Sequence, residues 1–386
     1  LPSTTDSPPA IAFVDLKAQY ARLKPAIDAR IAAVLDHGQF IMGPEVAELE
    51  AVLAARGGCA HAVGVASGTD ALLIALMAEK IGLGDAVFVP ALTFPATAEV
   101  VVAVGATPVF VEVEEASFNL DPHALAEQIE RVRIEGRLQP RAIIAVDLYG
   151  RPADYPRLGA LAREHGLFLL ADAAQSFGAL QGNRPVGSLA PVTATSFFPA
   201  KPLGCYGDGG ALLTDDADRA ALYRSIRAHG KGDGKYDIVR IGMNGRLDTL
   251  QAAILLAKLD VFGEELAARE KLARYYDRHL SEDMRKPARA ADTVSAWAQY
   301  TIRIEDRDRI AKELAAAGVP TAVYYPRPLH HQPAFARSSD GPESFPISQS
   351  LCRSVLSLPM HPYMDDATAE RICSAVASAT RGHTAG

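Results

Sequence analysis

A lysine confined between prolines is the residue of this sequence with the most specific chemical reading. Lys201 stands in Thr195-Ser196-Phe197-Phe198-Pro199-Ala200-Lys201-Pro202-Leu203-Gly204, after an apolar run and before a glycine-rich stretch. Aromatic and apolar neighbours desolvate an amine, lower its pKa and favour the neutral nucleophile, the form that adds to a carbonyl carbon as a Schiff base. Upstream, Asp172 follows the apolar run Leu167–Ala171 and precedes Ala173-Ala174-Gln175. A carboxylate at the carboxyl end of a buried strand lies where open α/β sheets bind ligands. There it can keep a pyridine nitrogen protonated, because a nearby opposite charge favours the charged form. Each residue also has a plainer reading. A lysine in a loop is ordinarily a solvated charge, and Asp172 suits a helix cap or an internal ion pair.

Two polar segments add to this pair. In Ser67-Gly68-Thr69-Asp70 a small-residue turn follows a short apolar run and opens a helical pattern. Free N–H groups at a helix start attract anions, and Thr69 adds a hydroxyl donor. The same residue types also serve as simple caps. Gly242-Met243-Asn244-Gly245-Arg246-Leu247-Asp248 is a second polar cluster, placed before a long apolar helix. The sequence contains no GxGxxG and no P-loop. His330-His331 has no partner cluster for a metal and reads as a surface or hydrogen-bonding pair.

These residues need a scaffold, and the chain alternates the required elements. Ala62–Ala66, Ala86–Pro90, Pro108–Val113, Ala142–Asp147, Leu167–Ala171, Ala194–Phe198 and Gly210–Thr214 are short apolar runs suited to strands buried on both faces. Helical patterns between them imply crossovers and a mostly parallel sheet. Further helices are expected over Leu247–Leu259, Glu264–Leu280, Asp306–Ala317 and Asp365–Ala377, and strands over Ala298–Ile304 and Thr321–Tyr325. The expected organisation is a disordered leader over 1–10, a large α/β domain over 11–283 and a smaller C-terminal α/β domain over 284–386. The charged, glycine-rich His229–Gly242 reads as a mobile loop or a solvated connector.

Composition narrows the class. The 386 residues carry a net charge of -7, with 49% hydrophobic and 22% charged side chains, the balance of a soluble globular chain. A nucleic-acid binder normally shows a basic footprint, which this chain lacks. No apolar run is long enough to span a membrane. Cys59, Cys205, Cys352 and Cys373 form no CxxC and fit a reducing, cytoplasmic compartment.

Together the motifs resemble the DegT/DnrJ/StrS family of sugar aminotransferases, over roughly Ile11 to Ala377. The resemblance runs from Phe13-Val14-Asp15-Leu16 and His37–Glu45, through Ser67–Leu72, Thr93–Ala98, Asp172–Ser176, the Lys201 loop and Gly207–Gly210, to Asn244/Arg246 and Ser357–Pro362. It implies fold type I, the aspartate-aminotransferase architecture, and pyridoxal 5'-phosphate (PLP) as cofactor. By resemblance Lys201 would hold PLP as a Schiff base and shuttle protons. Asp172 would pair with the pyridinium, Gln175 would bond near the ring hydroxyl and Phe94 would stack on the ring. Gly68, Thr69 and Ser196 would hold the phosphate. Asn244 would reach the phosphate of the neighbouring subunit's cofactor, which implies a homodimer with shared sites. No metal is implied.

The resemblance is strongest to the branch acting at C3 of UDP-linked keto sugars. It implies L-glutamate as donor, UDP-2-acetamido-3-oxo-glucuronate as the type of acceptor, and a place in lipopolysaccharide or other surface polysaccharide biosynthesis. Arg246 would pair a carboxylate or diphosphate. Gly38, Phe40, Tyr324 and Tyr325 are further sugar-pocket candidates. Phe40, Ala200 and Tyr324 stand where that branch usually carries tyrosine, serine and histidine, which brings in a neutral 3-oxo sugar such as UDP-3-oxo-GlcNAc, or a 4-oxo sugar. Related sugar dehydratases replace the lysine by histidine, and a non-catalytic regulator of this fold would lack the lysine or the carboxylate; Lys201 and Asp172 are both present.

Overall fold

Apolar runs bounded by glycine, proline or aspartate become central strands when helices cover both faces. The computed structural model describes residues 10–381 apart from Lys235, Asp283, 339–340 and 342–343. Residues 1–9 of the expected leader and the last five residues therefore lie outside the described residues.

Two helices open the described chain, α1 (Leu16–His37) and α2 (Pro44–Gly57). Strands and helices then alternate as β1 (His61–Val65), α3 (Gly68–Ala78), β2 (Asp85–Pro90), α4 (Ala96–Ala103), β3 (Thr107–Val111), α5 (Pro122–Glu135), β4 (Gln139–Val146), α6 (Tyr155–His165) and β5 (Phe168–Asp172). Two-residue strands β6 (Leu180–Gln181) and β7 (Arg184–Pro185) precede β8 (Val192–Ser196) and β9 (Gly210–Thr214). Next come α7 (Ala217–Ile226), α8 (Thr249–Leu259) and α9 (Phe262–His279). The remainder is β10 (Thr293–Val294), β11 (Tyr300–Arg303), α10 (Arg307–Ala316), α11 (Pro346–Ser354), β12 (Val355–Leu358) and α12 (Asp366–Arg381).

Seven strands form the main sheet in the order β1-β9-β8-β5-β4-β2-β3. The pairs β2/β3, β2/β4, β4/β5 and β5/β8 are parallel, and β9 runs antiparallel to both β8 and β1. Alternate residues of one strand serve two cores. Val87 and Val89 pack with Leu72, Ile74 and Val101 of α3 and α4. Ala86 and Phe88 pack with Leu125, Ile129 and Leu158 of α5 and α6. Fully burying a side chain such as Phe88 stabilises by roughly 1.5–3 kcal/mol. A third core lies beneath the Lys201 loop, where Phe197, Leu203 and Cys205 meet Leu255 and Leu259 of α8 and Leu49 and Leu53 of α2.

Another core joins Ile11 and Leu272, Ala273 and Tyr276 of α9 to Tyr300, Ile302, Leu356, Leu358 and Val376, so residues on both sides of position 284 share it. β11 and β12 pair antiparallel within this core. Thr321–Tyr325 departs from the strand expected there. Only Ala322 bridges, to Ser357, while Pro320 and Pro326 flank the run and lack the N–H a ladder needs. The Tyr324–Tyr325 peptide is cis. His229–Gly242 folds back on itself through a Lys231–Ile238 bridge and presents exposed Tyr236, Ile238, Val239 and Ile241.

Candidate active site

The carboxyl ends of β5 and β8 meet at one place, and Asp172 is the last residue of β5. Its carboxylate is buried and accepts two hydrogen bonds, at Oδ2 from Thr97 Oγ1 at 3.0 Å and at Oδ1 from the Ala174 N–H at 3.2 Å. Thr97 in turn lies 3.2 Å from the Thr93 hydroxyl, one helical turn away. Burial pushes the Asp172 carboxyl up, while the Ala174 and Thr97 bonds and the Lys201 charge act to lower it. The Lys201 amine is shifted the opposite way. Burial pushes its ammonium down, and the Asp172 carboxylate pulls it back up. A buried acid and a half-buried amine that feel each other's charge, with opposed shifts, form the pairing expected of a nucleophilic, proton-moving amine.

The loop carrying Lys201 is short and self-bonded. The Lys201 N–H donates to the Phe198 carbonyl at 2.9 Å, and the Cys205 N–H donates to the Phe197 carbonyl at 2.8 Å. Gly204 is needed here, since a Cβ would stand 2.5 Å from the Pro199 oxygen.

An anion seat lies beside this pair. Ser67 caps α3, its Oγ accepting from the Asp70 N–H at 3.0 Å. The first N–H groups of the helix, at Gly68 and Thr69, have no intrahelical partner. A Cβ on Gly68 would come within 2.6 Å of Ser196 Cβ, so the bare backbone lets β8 approach the helix start. Ser196 Oγ accepts from the Phe198 N–H at 3.3 Å. The free N–H groups with the Thr69 and Ser196 hydroxyls suit a phosphate, and the Asp172 carboxylate suits a ring cation.

The ring side is bounded by Phe94, Tyr325 and Gln175. The Phe94 and Tyr325 rings are 6.0 Å apart, with Phe94 about half exposed. Tyr325 sits by Asp172 and hydrogen-bonds Gln175; burial pushes its phenol up. The buried Gln175 also accepts from the Tyr149 N–H at 2.7 Å through Oε1. Tyr149 donates its hydroxyl to the Tyr324 carbonyl, tying this wall to the C-terminal half. The Tyr324 ring lies 6.4 Å from Phe13.

Four candidate residues lie outside this cluster. Gly38 ends α1 with φ 70°, a left-handed position suited to glycine. The Phe40 side chain is half exposed, and its carbonyl accepts from the Thr249 N–H at 3.0 Å. Asn244 is exposed, and its Oδ1 accepts from Arg246 Nη2 at 2.7 Å. Arg246 bridges to Val65, and the Ala66 N–H donates to Gly245 at 3.0 Å, which sets this segment against the end of β1. Arg246 Nε is buried without an acceptor. The His330 and His331 rings lie 4.2 Å apart and are tilted by 57°, with His330 packed on Phe345 and Phe110.

The sequence reading missed two supports. Thr97 holds Asp172, and its i,i+4 spacing from Thr93 is the available signal. Asp147, one residue past β4, is fully buried and accepts from Ser176 Oγ at 2.6 Å, Tyr155 OH at 2.8 Å and the Ala153 N–H at 2.9 Å. Burial pushes its carboxyl up to about 7. An aspartate that follows an apolar run, as Asp172 does, was its signal.

The model of the DegT/DnrJ/EryC1/StrS aminotransferase family matches residues 22–377. The UDP-2-acetamido-2-deoxy-3-oxo-D-glucuronate aminotransferase of Pseudomonas aeruginosa is 47% identical over 369 residues, covering 95% of this chain and 99% of that protein. A UDP-N-acetyl-3-dehydro-alpha-D-glucosamine 3-aminotransferase of Acidithiobacillus ferrooxidans is 40% identical, covering 97% of this chain and 99% of that one. Among solved structures, a DegT/DnrJ/EryC1/StrS aminotransferase from Brucella abortus superposes with a TM-score of 0.94 at 48% identity, over 97% of this chain and 100% of that chain.

Proposed function

The chain belongs to the DegT/DnrJ/EryC1/StrS aminotransferase family, whose fold type I scaffold and PLP chemistry it shares, and from that premise we propose that it moves an amino group from L-glutamate to C3 of a UDP-linked 3-oxo sugar of the UDP-2-acetamido-3-oxo-glucuronate type, for surface polysaccharide biosynthesis. The observation that carries the chemistry is the half-buried Lys201 amine beside the buried Asp172 carboxyl, with opposed pKa shifts, next to an anion seat. PLP, when bound, supplies an electron sink for the bonds at the donor carbon.

The chain's own residues divide the remaining work. Lys201 Nζ would hold the cofactor through its amine and, when free, would carry a proton to or from the donor carbon. Asp172 would keep the ring nitrogen protonated, and the Thr97 hydroxyl, bonded to Oδ2, holds the carboxylate's orientation. Phe94 covers one ring face, and Gln175 bonds near the ring hydroxyl. Gly68, Thr69 and Ser196 take the phosphate. Asn244 reaches the phosphate in the neighbouring subunit, so the working unit is a homodimer. The exposed Phe40, Ile41, Phe198, Tyr236, Ile238 and Ile241 support that reading, since apolar side chains of this size mark contact surfaces.

Arg246, with its unsatisfied Nε, takes a carboxylate or diphosphate of the acceptor. Gly38, Phe40, Tyr324 and Tyr325 line the sugar side. Identity of 47% to the uronate enzyme supports the acid. Phe40, Ala200 and Tyr324 support the neutral sugar as a second reading, because each loses or changes a polar contact that the tyrosine, serine or histidine of the uronate branch would make. Incubating the holoenzyme with glutamate and paired UDP-3-oxo sugars, with and without the C6 carboxylate, and with a 4-oxo sugar, tests both. Mass spectrometry should find the 3-amino uronate as the preferred product. Turnover of the 4-oxo sugar alone would overturn the assignment.

A further inference from the structure

α8 holds the Lys201 loop at two points about two turns apart on one face. Gln251 Oε1 accepts from the Tyr206 N–H at 2.9 Å, and Lys258 Nζ donates to the Gly204 carbonyl at 2.5 Å. Lys258 is 1% exposed, which is unusual for a lysine. Its ammonium forms no ion pair among the described residues; instead it lies 4.2 Å from the centre of the Tyr206 ring. Glu265 of α9 acts on it only through its charge, with the Glu265 oxygens bonded to Gln19 Nε2 and the Tyr363 hydroxyl. Burial pushes the Lys258 ammonium down to about 8.

A cation placed in an apolar core without a carboxylate is costly, and a methionine would fill the same space at less cost. What the charge adds is a fixed direction for one carbonyl. That carbonyl belongs to the residue whose Cα packs against the Pro199 and Phe198 oxygens, closing the loop around Lys201. We propose that Lys258 is a positioning residue: by fixing the Gly204 carbonyl it sets where the Lys201 amine stands relative to Asp172. This rests on the reading of Lys201 as the cofactor-binding lysine.

The test begins with borohydride reduction of the wild-type holoenzyme and peptide mapping. Label on Lys201 upholds that reading; label on another lysine overturns it and the proposal with it. Lys258→Met and Lys258→Gln are then compared with the wild type. In Lys258→Met, kcat should fall about 10- to 100-fold, as for a misplacement of ~1 Å, with KM for the sugar nearly unchanged. The pH midpoint of the lysine–cofactor absorption band should shift, and the apoenzyme's Lys201 should be trapped more slowly by pyridoxal and borohydride. Lys258→Gln, which keeps an N–H donor, should recover part of each property. A folded Lys258→Met with wild-type kcat, midpoint and trapping rate overturns the proposal. If Lys258→Met does not fold, Lys258→Gln alone decides: a shifted midpoint with slower trapping supports the role, and wild-type values for both overturn it.

Discussion

Asp172 and Phe40 mark two regions, built in opposite ways, that the proposed function joins in one site. The Asp172 half is enclosed within a single chain. Its carboxylate has two donors, its neighbour Gln175 has Tyr149 and Tyr325, and Asp147 behind them has three donors. The Phe40 half lies open. Phe40 and Ile41 are about half exposed, Asn244 is exposed, and Arg246 keeps a buried N–H without an acceptor. A buried polar group without its partner costs about 1–3 kcal/mol, so the first half is complete in one chain whereas the second awaits a ligand or another subunit. The difference teaches that the groups around Asp172 are preorganised within one chain, whereas those around Arg246 are left for a partner to complete.

Three substitutions sharpen or break that contrast. Lys201→Ala strikes the enclosed half hardest. Transfer from glutamate should fall by at least ~10³-fold, read as 2-oxoglutarate formed, and the lysine–cofactor band should be lost. Retention of both would move the reactive amine elsewhere. Arg246→Lys strikes the open half. Losing the bidentate fork should raise KM for the UDP sugar by about tenfold with kcat little altered, in steady-state assays. An equal fall in kcat would place Arg246 in the chemical step.

Asp147→Asn should change turnover least and pH-dependent stability most. The folded carboxyl, raised to about 7, holds its proton above the unfolded value of about 4. The folded state thus binds more protons across that window, and this group's contribution to stability falls as pH rises from about 4 to 7. Urea unfolding at pH 5 and pH 8 should show a smaller fall for Asp147→Asn than for the wild type. Equal falls would mean that the carboxyl is already ionised at pH 5.

Much of the enclosed half was legible because its signals are local. An aspartate after an apolar run and a lysine between prolines mark strand ends and a constrained loop without knowledge of the fold. The direction of β9 was not legible, since five apolar residues look alike in parallel and antiparallel ladders. α1 escaped notice because its buried positions, Gln19, Leu23, Ile27 and Val34, make only a narrow stripe. Lys258 gave no signal of its own, because a helix lysine is ordinarily solvated and only packing puts this one in the interior. The strand expected over Thr321–Tyr325 followed β-branched and aromatic residues, and the flanking prolines prevailed.

The antiparallel β9 also governs the order in which the chain can fold. β1 has one ladder partner in the main sheet, and that partner is β9. At ~5–20 residues per second of synthesis, the interval from Val65 to Thr214 lasts roughly 7–30 s. Through that time the apolar β1 has no strand to pair with, and its exposed edge invites association with other chains. Its pairing therefore waits until the Lys201 loop has been made, so the strand that joins β1 to the sheet arrives after Lys201.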